Sequence, residues 1–357
     1  MREIRQKEAV EAYLNSKDGK SILYCCPRFG KIKVALDIIK ELDITHILIT
    51  APRKDIFDGW DKDIYKFNMT HLVVEYCTFT SLKKLKSPAP WQLVIVDEPH
   101  ELSIPQQKFL KPIVDMFPTL GLTGTMTQKT RKELYDNLGL DVCYKYSIAQ
   151  GVEEGILVDY EIFIHKVPLD DKRYNYATKS KKYTEQGYFN LYEYLRKEAK
   201  GSNKYFMELK LIKILQDSIS KMEMTRKLIS QHKDDRLLVF CGTTKIADSL
   251  GVPVYHSKNK EKEIFDNFCN GDIPHLSTIK MMQAGITITP INRGILNYTS
   301  GNPEDFSQKV CRFLGLEYNR LDKKAIIHIL CADEEFEISR IKTGLSFFDI
   351  SKITWID

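Results

Sequence analysis

Short apolar runs alternate with amphipathic helical spacing from the start of the chain. In the first half, the runs at 21–26, 45–51, 71–79, 93–98 and 119–125 read as buried strands. Between several of them, apolar positions recur with helical period, at 31–42 and 55–67. Continuous apolar strands separated by helices predict a parallel, doubly wound sheet over residues 1–155. The rhythm changes at 156–221. There 156–169 reads as one or two strands, and 171–206 is rich in Lys and Tyr with few aliphatic residues until Leu209. This predicts a connecting segment with short helices. From 222 the alternation resumes, with strands expected near 237–241, 252–257, 275–281, 294–300 and 325–331 and helices at 261–269, 305–314 and 334–341. The expected fold class is α/β: two tandem doubly wound parallel-sheet domains, 1–155 and 222–357, joined by 156–221.

Composition narrows this little. The 357 residues suffice for two α/β domains with separate cores, and 43% hydrophobic with 28% charged residues is an ordinary globular balance. A net charge of +5 agrees with a polyanionic partner without demanding one. Eight scattered cysteines show no Cys-x-x-Cys spacing, which argues against a zinc site, and most lie in apolar runs as buried free thiols would. A reduced compartment is expected. There is no cationic leader with an apolar stretch, and no run of about 18 apolar residues. The expectation is a soluble, cytoplasmic protein with no membrane partner.

The chemistry-bearing feature is the strand at 21–26, then Pro27-Arg28-Phe29-Gly30-Lys31, then a helix. Gly-Lys at a helix start places backbone N–H groups and a cation around a phosphate. The usual phosphate-loop pattern has Gly where Cys25 stands and Ser or Thr where Ile32 stands, so the match by itself is weak. About 65 residues later an apolar strand ends in Asp97-Glu98-Pro99-His100. Acidic groups at the carboxyl end of a buried parallel strand lie in the crevice where such sheets bind ligands. An Asp there can hold Mg²⁺ through water, and a neighbouring Glu can polarise an attacking water.

In order and spacing, the short motifs resemble superfamily 2 helicases, particularly the phage UvsW-like branch of DExH proteins. The stretch 2–10 looks like the amino-terminal Q-type element, 27–31 like motif I, 50–60 like motif Ia, 75–82 like motif Ib, 97–100 like motif II and 121–127 like motif III. Later, 237–250 looks like motif IV, 254–288 like motif V with its lead-in, and 305–316 like motif VI. The resemblance implies two RecA-like domains, with ATP and Mg²⁺ as cofactors. It implies that Gln6 reads the adenine edge and that Pro27, Arg28, Phe29, Gly30, Lys31, Ile32 and Gly285 line the ATP site. Lys31 would hold the β- and γ-phosphates, and Asp97 and Glu98 would serve Mg²⁺ and water. Gln308 and Arg312 would reach the γ-phosphate from the second lobe. Thr123 and Thr125 would couple motif II to nucleic acid through His100. Thr50, Arg53, Thr80, Ser81, Thr243, Thr244 and Lys280 are the candidate nucleic-acid contacts, mainly to phosphate and sugar. The expected partner is nucleic acid, DNA before RNA; replication or recombination proteins that would accompany it are unknown. The likeness also suggests 3′→5′ movement.

Two departures bear on catalysis. Ile32 replaces the hydroxyl that normally ligates Mg²⁺, and Gly315 stands where motif VI usually carries a second arginine. Arg320 could replace that arginine only if the chain turns back, and Thr287 stands where motif V often has an acid. These departures keep a second class open, a helicase-fold nucleic-acid-binding factor with weakened ATP hydrolysis. Two features carry a bland reading beside a functional one. Trp60, at helical spacing from Ile56 and Ile64, reads as core before base-stacking platform. The aromatic and basic stretch (Tyr174, Tyr176, Tyr183, Tyr188, Phe189, Tyr192 and Tyr194 with Lys172, Lys179, Lys181 and Lys182) reads either as a single-strand-binding surface or as packing against a lobe.

Overall fold

A computed structural model of the chain describes residues 1–85, 90–178, 181–256, 259, 261–279, 291, 293–299, 302–315 and 324–357. They form two compact units, Met1–Leu157 and the described residues from Val158 to Asp357.

The first unit runs α1 (Arg2–Leu14), β1 (Lys20–Cys25), α2 (Lys31–Glu41), β2 (His46–Ala51), α3 (Phe57–Lys66), β3 (Val73–Thr78) and β4 (Leu93–Asp97), then α4 (Ile104–Met116), β5 (Thr119–Thr123), α5 (Gln128–Leu138), β6 (Asp141–Tyr146) and α6 (Ile148–Glu153). Its strands lie in the order β3-β2-β4-β5-β1-β6, every pair parallel. β4 and β5 are buried at every position, which is why they read as unbroken apolar runs. Because the strands are parallel, the carboxyl ends of β1, β4 and β5 meet at one edge, with Tyr24 beside Thr123 and Asp97 beside Leu122.

The second unit runs β7 (Asp159–Val167), β8 (Tyr176–Ala177), β9 (Lys182–Tyr183), α7 (Glu185–Glu198), α8 (Gly201–Gln216), α9 (Ile219–Gln231), β10 (Leu237–Phe240) and α10 (Thr244–Ser249). It continues through β11 (Val254–Tyr255), α11 (Lys262–Asn270), β12 (His275–Thr278), β13 (Arg293–Leu296), α12 (Pro303–Cys311), β14 (Lys324–Ala332), α13 (Glu335–Gly344) and β15 (Ile353–Ile356). Its sheet, in the order β11-β12-β10-β13-β14-β7-β15, is also parallel throughout. The α/β class with two parallel-sheet domains therefore stands. The segment 156–221 is not simply a connector: β7 pairs with β14 from Asp159 to Val167 and with β15 on its other side, inside the second sheet. The helix expected over 55–67 opens as a 3₁₀ turn, Lys54–Ile56, before α3 begins. All eight cysteines are free, and no helix among the described residues is long and apolar enough to cross a membrane.

The second sheet also buries a line of histidines. Arg293 Nη1 lies 2.7 Å from His328 Nε2, and His328 Nδ1 lies 2.8 Å from His165 Nε2. An arginine only donates, so His328 accepts at Nε2 and carries its proton on Nδ1. His165 then holds its own proton on Nδ1, which is buried without a partner among the described residues. Burial first, and the Arg293 charge second, push His328 down to about 3, and burial and neighbouring His232 and Lys227 lower His165 as well. Native His328 stays neutral where the unfolded chain takes up a proton, so stability is lost as pH falls below about 6.5. We expect the melting temperature of the second unit to drop between pH 7 and pH 4.5, with His328 contributing on the order of 2 kcal/mol. In His328→Gln, thermal denaturation followed across that range should show a shallower pH dependence, and an unchanged slope would reject this account.

Candidate nucleotide-binding site

β1 ends at Cys25, and Cys26 continues its ladder by donating its N–H to Tyr146 O at 2.9 Å. The chain then turns through Pro27 and Arg28 (φ 63°) to Gly30 (φ 91°), which caps α2. At Gly30 the left-handed backbone favours glycine, and an added Cβ would collide with Gln6 Nε2. That amide donates to Phe29 O at 2.7 Å, so α1 holds the loop from behind. Among the described residues no side chain caps α2. The amides of Lys31, Ile32 and Lys33 are left without intrahelical acceptors, the usual state of a helix start and a ready seat for an anion.

The Lys31 ammonium lies 3.3 Å from where a Cβ of Gly124 would stand, just past β5, and 4.0 Å from Glu98 Oε1. Burial opposes its charge, but Glu98 and then Asp97 outweigh burial and raise its pKa. Asp97 is 7% exposed and accepts a hydrogen bond from Trp60 Nε1 at 3.0 Å on Oδ2. Burial, then the adjacent Glu98 charge, push its carboxyl up to about 7 against the opposing pull of Trp60 and Lys31. Glu98 itself sits at φ 54°, ψ 56°, a left-handed conformation rare for its type, pinned by its N–H to Leu122 O at 2.8 Å. Its Oε2 is buried with no hydrogen bond among the described residues; His100 Nδ1 lies 3.3 Å away but pairs with Thr123 Oγ1 at 2.8 Å. Thr123 in turn donates to Thr125 O at 2.8 Å. The ends of β4 and β5 are thus tied through one imidazole.

This donor set fits a divalent cation carried with a triphosphate. Two adjacent carboxylates face one ammonium, one carboxylate is raised by burial and by its neighbour's charge, and one buried oxygen has no hydrogen bond among the described residues. Asp97 would hold the metal, Glu98 would face water, and Lys31 with the α2 amides would take phosphate.

Several expectations change on placement. Phe29 is fully buried against Tyr146 and Tyr144, so its ring is core and lines no ligand. Ile32 turns toward α3, its Cδ1 3.9 Å from where a Cβ of Gly59 would stand. Thr50 is fully buried, its hydroxyl donating to Ile95 O, which removes it from the candidate contacts. Thr123 and Thr125 are likewise fully buried, so any coupling through them is indirect. Arg53 stays exposed beside Asp55 at 3.5 Å, and Thr80 and Ser81 share a hydroxyl cluster with Thr78. In the second unit Thr243 caps α10, and Thr244 opens it. Gln308 is half-buried on α12, and Arg312, also half-buried, opens the 3₁₀ turn Arg312–Leu314. Lys280, Gly285, Thr287 and Arg320 lie outside the described residues. The sequence reading missed the Trp60–Asp97 bond. The signal was available: a buried indole needs an acceptor for its N–H, and few acceptors end inside an apolar core.

Residues 220–314 match the family described as the helicase conserved C-terminal domain. A DNA 3′-5′ translocase, XPB2, from Sulfurisphaera tokodaii is 24% identical over 364 residues, covering 90% of this chain and 79% of that protein. These findings support a superfamily 2 helicase. Among solved structures, Saccharomyces cerevisiae Dbp5 bound to RNA and ADP BeF3 aligns with a TM-score of 0.61 at 10% identity, over 99% of this chain and 89% of that one. The ATP-dependent Type ISP restriction-modification enzyme LlaBIII bound to DNA gives 0.63 at 13%, and the chain spans 31% of its length. Such likeness shows the fold, tandem RecA-like domains.

Gly30→Ala should force both a disfavoured φ and the displacement of Gln6. Denaturant unfolding of the first unit is expected to show a loss of about 1–2 kcal/mol. A variant as stable as the wild type would mean that the loop is not held as described.

Proposed function

We propose that this chain is an ATP-driven nucleic-acid translocase or helicase, acting on branched or forked DNA in the manner of the phage UvsW-like DExH group and working in the cytoplasm of the cell. The observation that carries it is the meeting of Lys31, Asp97 and Glu98 at the edge where α2 presents its unpaired amides. Mg²⁺ carried with ATP would supply the positive charge the two carboxylates lack, while Lys31 and the α2 amides would meet the triphosphate. On this reading Gln308 and Arg312 serve the γ-phosphate, and Gln6 acts as much by holding Phe29 O as by reading the base. The DNA preference is supported by the relative XPB2, a DNA 3′-5′ translocase, while Dbp5, solved with RNA, keeps RNA as the competing strand.

Nucleic-acid contact is assigned to Arg53, Thr80, Ser81, Thr243, Thr244 and Lys280, which would grip phosphate and sugar. The aromatic stretch divides. Tyr176 stacks on Tyr188, Tyr183 and Tyr192 meet the same ring tilted and edge-on, and Phe189 is core, so these pack. Tyr194, Tyr205 and Phe206 stay 58–61% exposed on α7 and α8, where rings can stack on unpaired bases.

The missing hydroxyl at Ile32 and the missing arginine at Gly315 favour a second reading, a helicase-fold factor that binds nucleic acid and turns ATP over slowly. Phosphate release with and without forked DNA separates the two. The wild type is expected to be stimulated by forked DNA, and Lys31→Ala to lose about 10²-fold or more. If both stay at background and Ile32→Thr raises turnover strongly, the second reading replaces the first. If all three stay at background, the motor is rejected.

A further inference from the structure

The phosphate loop lacks the hydroxyl that ordinarily steadies a metal beside the triphosphate, and what stands in its place leads to Trp60. The Ile32 side chain points toward the start of α3, its Cδ1 3.9 Å from where a Cβ of Gly59, the residue before Trp60, would stand. Trp60 is fully buried, and its indole N–H meets Asp97 Oδ2 at 3.0 Å. An apolar side chain of α2 therefore faces the helix that supplies the donor.

A carboxylate at the end of a strand turns freely about two side-chain bonds. A rigid indole on one oxygen fixes the carboxylate plane. We propose that Trp60 is a positioning residue for metal–nucleotide binding: its N–H orients Asp97, and Ile32, where a hydroxyl is usual, seats the helix that carries it. The proposal rests on the ATP-site reading above. The alternative is a merely structural bond, in which the buried indole takes the nearest acceptor and nothing at the site depends on its direction.

The test uses the full chain with β-(3-benzothienyl)alanine at position 60, which keeps the shape of the indole and lacks the N–H. Affinity for a fluorescent ATP analogue is measured with Mg²⁺ and with EDTA, and melting is followed in parallel. A hydrogen bond to a charged group at this strength predicts about a tenfold loss of affinity with Mg²⁺. Affinity in EDTA should be unchanged. In an Ile32→Thr background, where a hydroxyl is restored, the same replacement should cost under about threefold. Equal affinities of the replaced and unreplaced chains with Mg²⁺ overturn the proposal, as does an equal loss with and without Mg²⁺ accompanied by a lower melting temperature. A full tenfold loss in the Ile32→Thr background overturns the link to Ile32. If the unreplaced chain binds the analogue in neither condition, the ATP-site reading itself fails and this inference falls with it.

Discussion

Burying two neighbouring carboxylates beside a single ammonium leaves the carboxyl edge of the first sheet short of positive charge. Nothing in the fold requires this. A parallel sheet gathers its strand ends at one edge whatever residues they carry, and apolar or amide ends would be cheaper to bury. Instead Asp97 closes β4 inside the protein, and Glu98 follows in a left-handed backbone that costs on the order of 1–3 kcal/mol. Lys31 offsets part of the charge from 4.0 Å. The raised carboxyl of Asp97, held up by burial first and by the Glu98 charge second, is the remainder. The edge is built against stability, and that is the physical ground for calling it a site.

The two departures from the usual helicase pattern differ in kind. Ile32 has a visible structural placement, because where the oxygen is lost an apolar side chain faces the helix that carries Trp60. Gly315 has none: it follows the 3₁₀ turn at φ −72°, in ordinary extended backbone. Nor does the nearby Lys309 supply the missing cation. It is buried on α12, paired with Asp305 at 2.6 Å and set over the Tyr298 ring. Arg312 is left as the cationic candidate of motif VI among the described residues.

What the sequence made legible follows from burial. β1, β2, β4, β5 and β10 are buried nearly throughout and stood out as apolar runs. β6 and β15 did not, because their residues are mostly half-exposed and carry no continuous apolar signal. β7 was seen as a strand but assigned to a connector, since nothing local reveals that Asp159–Val167 pairs with a partner some 165 residues later. Motif spacing singled out Lys31, Asp97, Glu98 and His100, which the fold brings to one edge. It could not tell a buried threonine from an accessible one, so Thr50 entered the wrong group.

That error bears on how nucleic acid would be held. Thr50 has its hydroxyl committed inside the sheet, whereas Thr80, Ser81, Thr243 and Thr244 lie at turns and helix starts. Groups at such positions reach phosphate and sugar and carry register without sequence. On the proposed reading, a preference for forks over plain duplex therefore cannot come from them. It has to come from a surface that distinguishes unpaired bases from stacked ones, and Tyr194, Tyr205 and Phe206 offer the aromatic faces for that. Position and structure preference would then reside in different parts of the chain, the first in motif loops and the second on α7 and α8.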